Sequence, residues 1–194
     1  TADTLSLYGL DNPATQEFGR ICLSARRMVQ RGVRFVQIYD DGPNDAGGKW
    51  DTHNDSKPRL GDNARSVDKP IAGLLKDLKS RGMLNDTLVL WSGEFGRTPK
   101  IGQLSDNLDT EKNGRDHWAS VFSALVAGGG LRGGEVVGSS DAIGAYPHER
   151  PLHATSLFAT MYHVLGINYH TIFHDPQNRP IPVLSHGSPI AELL

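Results

Sequence analysis

Helical and strand patterns alternate through the first 91 residues in an order that restricts the fold more than any other feature of the chain. From Ala14 to Arg31, Phe18, Ile21, Cys22, Ala25, Met28 and Val29 recur at three- and four-residue intervals, and Gly32 ends the run, which predicts a helix. Val33 to Tyr39 is continuously apolar enough for a strand covered on both faces. A polar loop, Asp40 to Pro58, leads to a second helix from about Asp62 to Arg81, with Val67, Ile71, Leu74, Leu75 and Leu78 on one face. Pro70 either kinks that helix or begins its main segment. Gly82 ends it, and Thr87 to Trp91 reads as the next strand. A strand–helix–strand order of this kind predicts a parallel crossover. Ligands in such sheets bind beyond the carboxyl ends of the strands, so the loops after Tyr39 and after Ser92 are expected to face each other.

The rest of the chain is less periodic. Val121 to Ala127 is an apolar run with no crossover helix before it, which predicts an antiparallel pairing and brings His117 toward the edge that carries Glu94. A Gly-rich turn from Gly128 to Gly134, a short strand near Val136, a helix from Thr155 to Leu165 and a last short helix complete the expectation. A chain of 194 residues, 38% hydrophobic and 22% charged, has the composition of one globular domain. Net charge is −2 and the Lys and Arg residues are dispersed, so no nucleic-acid partner is expected. No stretch approaches the roughly 20 apolar residues of a membrane helix. Cys22 is the only cysteine and can form no internal disulfide. The chain opens on Thr1, from which an N-terminus removed by processing or truncation is expected.

The loops carry the candidate chemistry. Asp51 and His53 are two apart in an extended loop, so both can point the same way. Glu94 follows an apolar strand between Gly93 and Gly96, and Asp116-His117 adds a carboxylate and an imidazole. Oxygen and imidazole donors converging at about 2.0–2.2 Å are what a zinc ion requires. Asp51, His53, Glu94 and His117 are therefore the expected ligands of a divalent ion, with zinc, calcium and manganese not distinguished. Arg97 and Arg115 flank these groups, and their guanidinium forks suit a tetrahedral phosphate or sulfate as well as a neighbouring carboxylate. Trp50 and Trp118 adjoin the two histidine motifs, as pocket walls or as ordinary packing. His148, His153, His163, His170, His174 and His186 show no spacing that suggests a shared metal.

Five runs occur together in one family: Trp50-Asp51-Thr52-His53, Gly93-Glu94-Phe95-Gly96-Arg97-Thr98-Pro99, Gly114-Arg115-Asp116-His117-Trp118, Leu125-Val126-Ala127-Gly128-Gly129-Gly130 and Ala159-Thr160-Met161-Tyr162-His163. The chain thereby resembles a sulfatase-like group catalogued as a domain of unknown function, and through it the alkaline phosphatase superfamily. The resemblance implies a single domain over residues 1–194 that forms the C-terminal portion of a three-layer α/β sandwich. Helices would cover both faces of a mainly parallel sheet that is incomplete at its N-terminus. It implies export to the periplasm or outside the cell, and a nucleophile upstream of Thr1, so that this chain alone turns substrate over poorly.

Two departures from the superfamily pattern favour one metal over two. Asp51 and His53 are two apart rather than four, and Glu94-Phe95 stands where an Asp-His pair is usual. Cys22-Leu23-Ser24-Ala25-Arg26 approaches the formylglycine context of sulfatases, but Ser24 replaces the required Pro or Ala. Cys22 also lies on the apolar helix face, so it reads as a core residue. The expected function is metal-dependent hydrolysis of a small sulfate or phosphate ester or a sulfated glycan. The alternative is a non-catalytic module that binds an anionic glycan or a protein partner in the same cleft. A nucleotide-binding domain is set aside because no glycine fingerprint follows either strand.

Overall fold

The helical periods hold, and the strands depart from expectation. The computed structural model describes residues 1–40, 48–105 and 113–194. In chain order the helices and strands are α1 (Ala2–Leu7), α2 (Gln16–Gln30), α3 (Ser56–Ser80), β1 (Val89–Ser92), β2 (Gly96–Arg97), β3 (His117–Trp118), β4 (Ala124–Ala127), β5 (Ser139–Ser140), β6 (Pro147–Glu149), α4 (Ala154–Val164), β7 (Ile172–His174) and β8 (Pro180–Pro182). Short 3-10 turns occupy Leu84–Asp86 and Ala191–Leu193, the second of them at the place of the expected last helix. The result is a mixed α/β fold in two units, Thr1–Leu84 with Gly93–Ser123 and Asn85–Ser92 with Ala124–Leu194.

The parallel sheet is not formed, and this corrects the expectation. Each sheet among the described residues is a two-stranded antiparallel pair: β1 with β4, β2 with β3, β5 with β6 and β7 with β8. β1 runs antiparallel to β4 from Val89 opposite Ala127 to Ser92 opposite Ala124, which is the return expected of the 121–127 run. Residues 33–40 form no strand among the described residues. Val36, Ile38 and Asp40 alternate with the exposed Phe35, Gln37 and Tyr39, a one-sided pattern rather than that of a strand covered on both faces. The strand expected near Val136 appears at Ser139–Ser140.

In the first unit α2 packs along α3, and Tyr8, at the end of α1, is inserted against them. Tyr8, Cys22 and Leu23 form the core, with Leu7, Leu10, Phe18 and Leu74 packed around it. Burial of the Cys22 thiol, helped by the charge of Asp40, pushes its pKa up to about 12, so it is an inert core group. α1 approaches α3 closely because Gly73 lacks a side chain: a Cβ there would stand 2.4 Å from the Leu7 carbonyl oxygen. α3 runs unbroken through Pro70, which is buried in it.

The buried residues of α2 are Gly19, Cys22, Leu23, Ala25 and Arg26, so Cys22 and Ala25 of the expected face are buried while Ile21 and Met28 are exposed. A charged residue can be buried there because Asp77 of α3 meets it. Arg26 Nε lies 2.8 Å from Asp77 Oδ2, close enough for charge attraction though not aligned as a hydrogen bond, and both side chains are 6% exposed. The Tyr8 hydroxyl donates to Asp77 Oδ2 at 2.9 Å, and Arg81 Nε donates to Oδ1 at 2.7 Å. One carboxylate thus ties the end of α1, the middle of α2 and the last turns of α3.

In the second unit Ala145, Ala159, Thr160, Ile190 and Leu193 are buried. The C-terminal segment is fastened there by Ile190 N–H donating to Thr160 Oγ1 at 2.9 Å and by Arg132 N–H donating to the Leu193 carbonyl at 2.8 Å. No helix among the described residues is long and apolar enough to cross a membrane.

Burial opposes ionisation of Asp77, but hydrogen bonds from Arg81 and Tyr8 and the charges of Arg26 and Arg81 outweigh it and hold its carboxyl below the ordinary range. A carboxyl depressed on folding stabilises fully above its unfolded pKa of about 3.9, and that contribution is lost as pH falls through the lower folded value. Urea unfolding is therefore expected to show stability declining below about pH 4. Asp77→Asn is expected to cost about 3 kcal/mol at pH 7, because it leaves Arg26 buried and unpaired, and to flatten the acid decline. A variant as stable as the wild type would remove Asp77 from this organising role.

Candidate functional site

A two-residue ladder sets the site. β2 and β3 pair with Gly96 opposite Trp118 and Arg97 opposite His117, so the Arg97 and His117 side chains are cross-strand neighbours. The loop before α3 is laid against this ladder. Arg97 Nη2 donates to the Trp50 carbonyl at 3.2 Å and Arg115 N–H donates to the Thr52 carbonyl at 3.3 Å. Thr52 is buried, with Ser56 Oγ donating to its carbonyl at 2.6 Å. Asp51 and His53, on either side of Thr52, reach the same cluster.

Close backbone approach fixes this alignment. A Cβ at Gly114 would stand 1.7 Å from the His53 carbonyl oxygen, so only glycine fits. Beside it, Asp55 takes a left-handed conformation (φ 52°) as α3 begins. Asp55 N–H donates to Asn113 Oδ1 at 2.7 Å, and Asn113 Nδ2 donates to Asp55 Oδ1 at 2.6 Å.

The cluster is centred on one oxygen. Asp51 Oδ1 lies 2.8 Å from Arg97 Nη1, 2.9 Å from His53 Nε2 and 3.0 Å from His117 Nε2. Ligand atoms of Asp51, His53 and His117 all fall within 4.8 Å of one another. The two imidazole rings are 4.8 Å apart, and the Phe95 ring sits 4.6 Å from that of His117. Partial burial opposes ionisation of Asp51, but the hydrogen bonds from His117 and Arg97 and the charges of His53 and Arg97 hold its carboxyl below the ordinary range.

Asp116 stands behind the cluster. Its Oδ2 accepts from Ser105 N–H at 2.9 Å, and its Oδ1 accepts from His117 N–H at 2.8 Å. The same Oδ1 lies 3.3 Å from His53 Nδ1. Hydrogen bonding from the Ser105 backbone is the largest influence on this carboxyl; against partial burial, and with the His117 amide, it brings the pKa down to about 2.

The structure therefore brings Asp51, His53 and His117 together with Arg97, and leaves Glu94 exposed and outside the three-residue group. Arg115 lies apart in role: its guanidinium donates from Nε to the Thr98 carbonyl and from Nη2 to the Arg97 carbonyl, bracing the strand that carries Arg97. Burial, with the like charge of Arg97, lowers the Arg115 pKa. Trp118 is buried, and Trp50 Nε1 donates to Asp40 Oδ2 at 2.8 Å. The sequence offers Asp116 as a carboxylate beside His117 but not as one of the divalent-ion ligands, and its hold by backbone amides and the place of the Phe95 ring against His117 appear only in the structure. A cavity of about 400 Å³ on the same unit, floored by Phe18, Ile21 and Tyr39, does not include the cluster.

The donor set suits a divalent ion. Ligands about 2.0–2.2 Å from a tetrahedral centre are about 3.3–3.6 Å from one another, so the Asp51 contacts would widen by a few tenths of an ångström and the widest separation of the group, up to 4.8 Å, would close by roughly 1 Å. The Nε2 atoms of both histidines lie beside Asp51 Oδ1, and His53 Nδ1 lies 3.3 Å from the Asp116 carboxylate, the side of the ring at which a carboxylate orients a metal-binding imidazole.

The chain matches, over residues 1–194, the model of the family described as protein of unknown function (DUF1501), and it belongs to that family. No curated protein and no solved structure matches it.

Gly114→Ala is expected to cost more than the 1–3 kcal/mol typical of overpacking, because the contact it violates is with backbone on both sides. Denaturant unfolding and the NMR shifts of the His53 and His117 rings check this. Unchanged stability and ring shifts would show that the two loops are not held by this approach.

Proposed function

For this member of the DUF1501 family we propose metal-assisted hydrolysis of a phosphate or sulfate ester at the cluster of Asp51, His53 and His117. The observation that carries this reading is the convergence of one carboxylate oxygen and one ring nitrogen from each of two imidazoles within 4.8 Å. Two imidazoles with one carboxylate is a donor mix of catalytic zinc sites that keep an open position. Calcium and magnesium prefer oxygen donors throughout, which favours zinc or a similar transition metal. When bound, such an ion supplies Lewis acidity toward the ester oxygens and a template for in-line attack.

The chain's own groups do the rest. Arg97, held at the cluster by Asp51 and by the Trp50 carbonyl, presents a planar donor fork to the oxygens of a tetrahedral anion. Arg115 keeps Arg97 in place through its grip on the Thr98 and Arg97 carbonyls. The reaction class comes from the resemblance of the motifs to the alkaline phosphatase superfamily. An alkaline-phosphatase-like frame, export from the cytoplasm and a small anionic ester or sulfated glycan as substrate belong to the same proposal.

A second reading is a module that binds an anionic glycan or a protein partner without turnover. It is favoured by the way Asp51 already satisfies Arg97 and both histidines, which closes the cluster without an added ion.

Zinc titration with aryl phosphate and aryl sulfate assays separates the two readings. The chain is expected to bind zinc, His117→Ala to abolish that binding, and Arg97→Ala to retain it. Where turnover is measurable, in this chain or in any longer chain its gene encodes, Arg97→Ala is expected to lower kcat about 10²–10³-fold. Failure to bind zinc or another divalent ion would defeat the hydrolase reading and leave the binding module.

A further inference from the structure

Three features of the chain were open to a further role: the His153–His186 contact, the cavity floored by Phe18, and the Asp116 carboxylate. The His153–His186 contact, 3.3 Å between ring nitrogens, lies on exposed side chains with no third ligand group beside it among the described residues. In the cavity Lys49 is already neutralised by Asp40 at 2.8 Å. Asp116 carries the inference furthest.

We propose that Asp116 is a positioning residue that aligns both histidines of the cluster through one carboxylate oxygen. Its Oδ1 meets the ring of His53 at Nδ1, 3.3 Å away, and the backbone N–H of His117, 2.8 Å away. The two histidines come from segments far apart in sequence, and this oxygen is a point that both address. The carboxylate is itself held firmly. Oδ2 accepts from Ser105 N–H, Asp116 N–H donates to Thr98 Oγ1 at 3.0 Å, and Thr98 N–H donates to the Asp116 carbonyl at 2.9 Å. Thr98 is fully buried, so the frame that carries Asp116 is fixed from below.

A ring with Nδ1 beside a fixed carboxylate has Nε2 to offer outward. For His53 that nitrogen faces Asp51 Oδ1 at 2.9 Å, beside His117 Nε2 at 3.0 Å from the same oxygen. Carboxylates that hold the far nitrogen of a ligating histidine set both its orientation and its donor strength, and their removal typically weakens metal binding 10–100-fold. The metal-binding part of this inference rests on the hydrolase reading; the alignment of the rings does not.

The test uses the full chain and two readouts. Without metal, the His53 and His117 rings, 4.8 Å apart, are expected to give an inter-ring NOE. Asp116→Ala, with its far-ultraviolet circular dichroism unchanged, is expected to lose that NOE and to bind zinc 10–100-fold more weakly. Should Asp116→Ala fail to fold, Asp116→Asn, which keeps the volume and an acceptor oxygen, is expected to weaken the NOE and zinc affinity in the same direction. An NOE intact in the folded variant overturns the positioning role whatever the zinc titration shows. An NOE lost by the variant, with zinc bound by neither chain, supports the positioning role and overturns the metal reading alone.

Discussion

The backbone of Gly114 passes so close to the His53 carbonyl that no side chain fits between them, and the candidate site follows from that contact. It joins the loop that precedes α3 to the strand that carries His117. Around it the Asp55–Asn113 pair and the hydrogen bond from Arg115 N–H to the Thr52 carbonyl hold the same two segments in register. The β2–β3 ladder then places Arg97 beside His117. Loops of this length would be too mobile to hold three ligand atoms together, since each free residue costs about 1–2 kcal/mol of backbone entropy to fix. The tie between the loops meets that cost with backbone contacts, independently of any ligand.

Two carboxylates on this unit each gather three cationic or hydrogen-bonding partners, with different consequences. Asp77 takes Tyr8, Arg26 and Arg81 from three helices and is closed to solvent, so it serves as an internal fastening. Asp51 takes Arg97, His53 and His117 at a half-open position. Imidazoles exchange a proton for a metal, and a guanidinium can exchange a carboxylate for another oxyanion, so this second gathering is able to change partners. Asp116, held by backbone amides, supplies the rigid side of the site and Asp51 the exchangeable one.

Much of the local structure was legible in the sequence. The helix from Gln16 to Gln30, the helix ending at Ser80 and the helix from Ala154 to Val164 fall where their apolar periods put them. The antiparallel return of Ala124–Ala127 followed from the absence of a crossover helix before it. The residue kinds of the cluster were legible as well, since residues two apart in an extended segment share a face, and Asp51 and His53 flank Thr52 in that way. The parallel sheet was misread, because a run such as Val33–Tyr39 shows a backbone's extended preference and not its partner. The buried face of α2 was legible in Cys22 and Ala25 but not in Arg26, which looks like a surface residue until Asp77, far along the chain, neutralises it.

The sequence by itself determined where the three longer helices run, that the chain belongs with one set of motifs, and which carboxylates and imidazoles stand in its loops. Only the tertiary structure decided that Asp51, His53 and His117 share a centre while Glu94 stays outside it, and that Arg115 grips backbone rather than facing the cluster. Helix period is written in neighbours three and four residues apart, so it survives in a short window of sequence. Strand pairing, charge compensation and loop-to-loop contact join residues tens of positions apart, and their free energy exists only once the chain has brought those residues together.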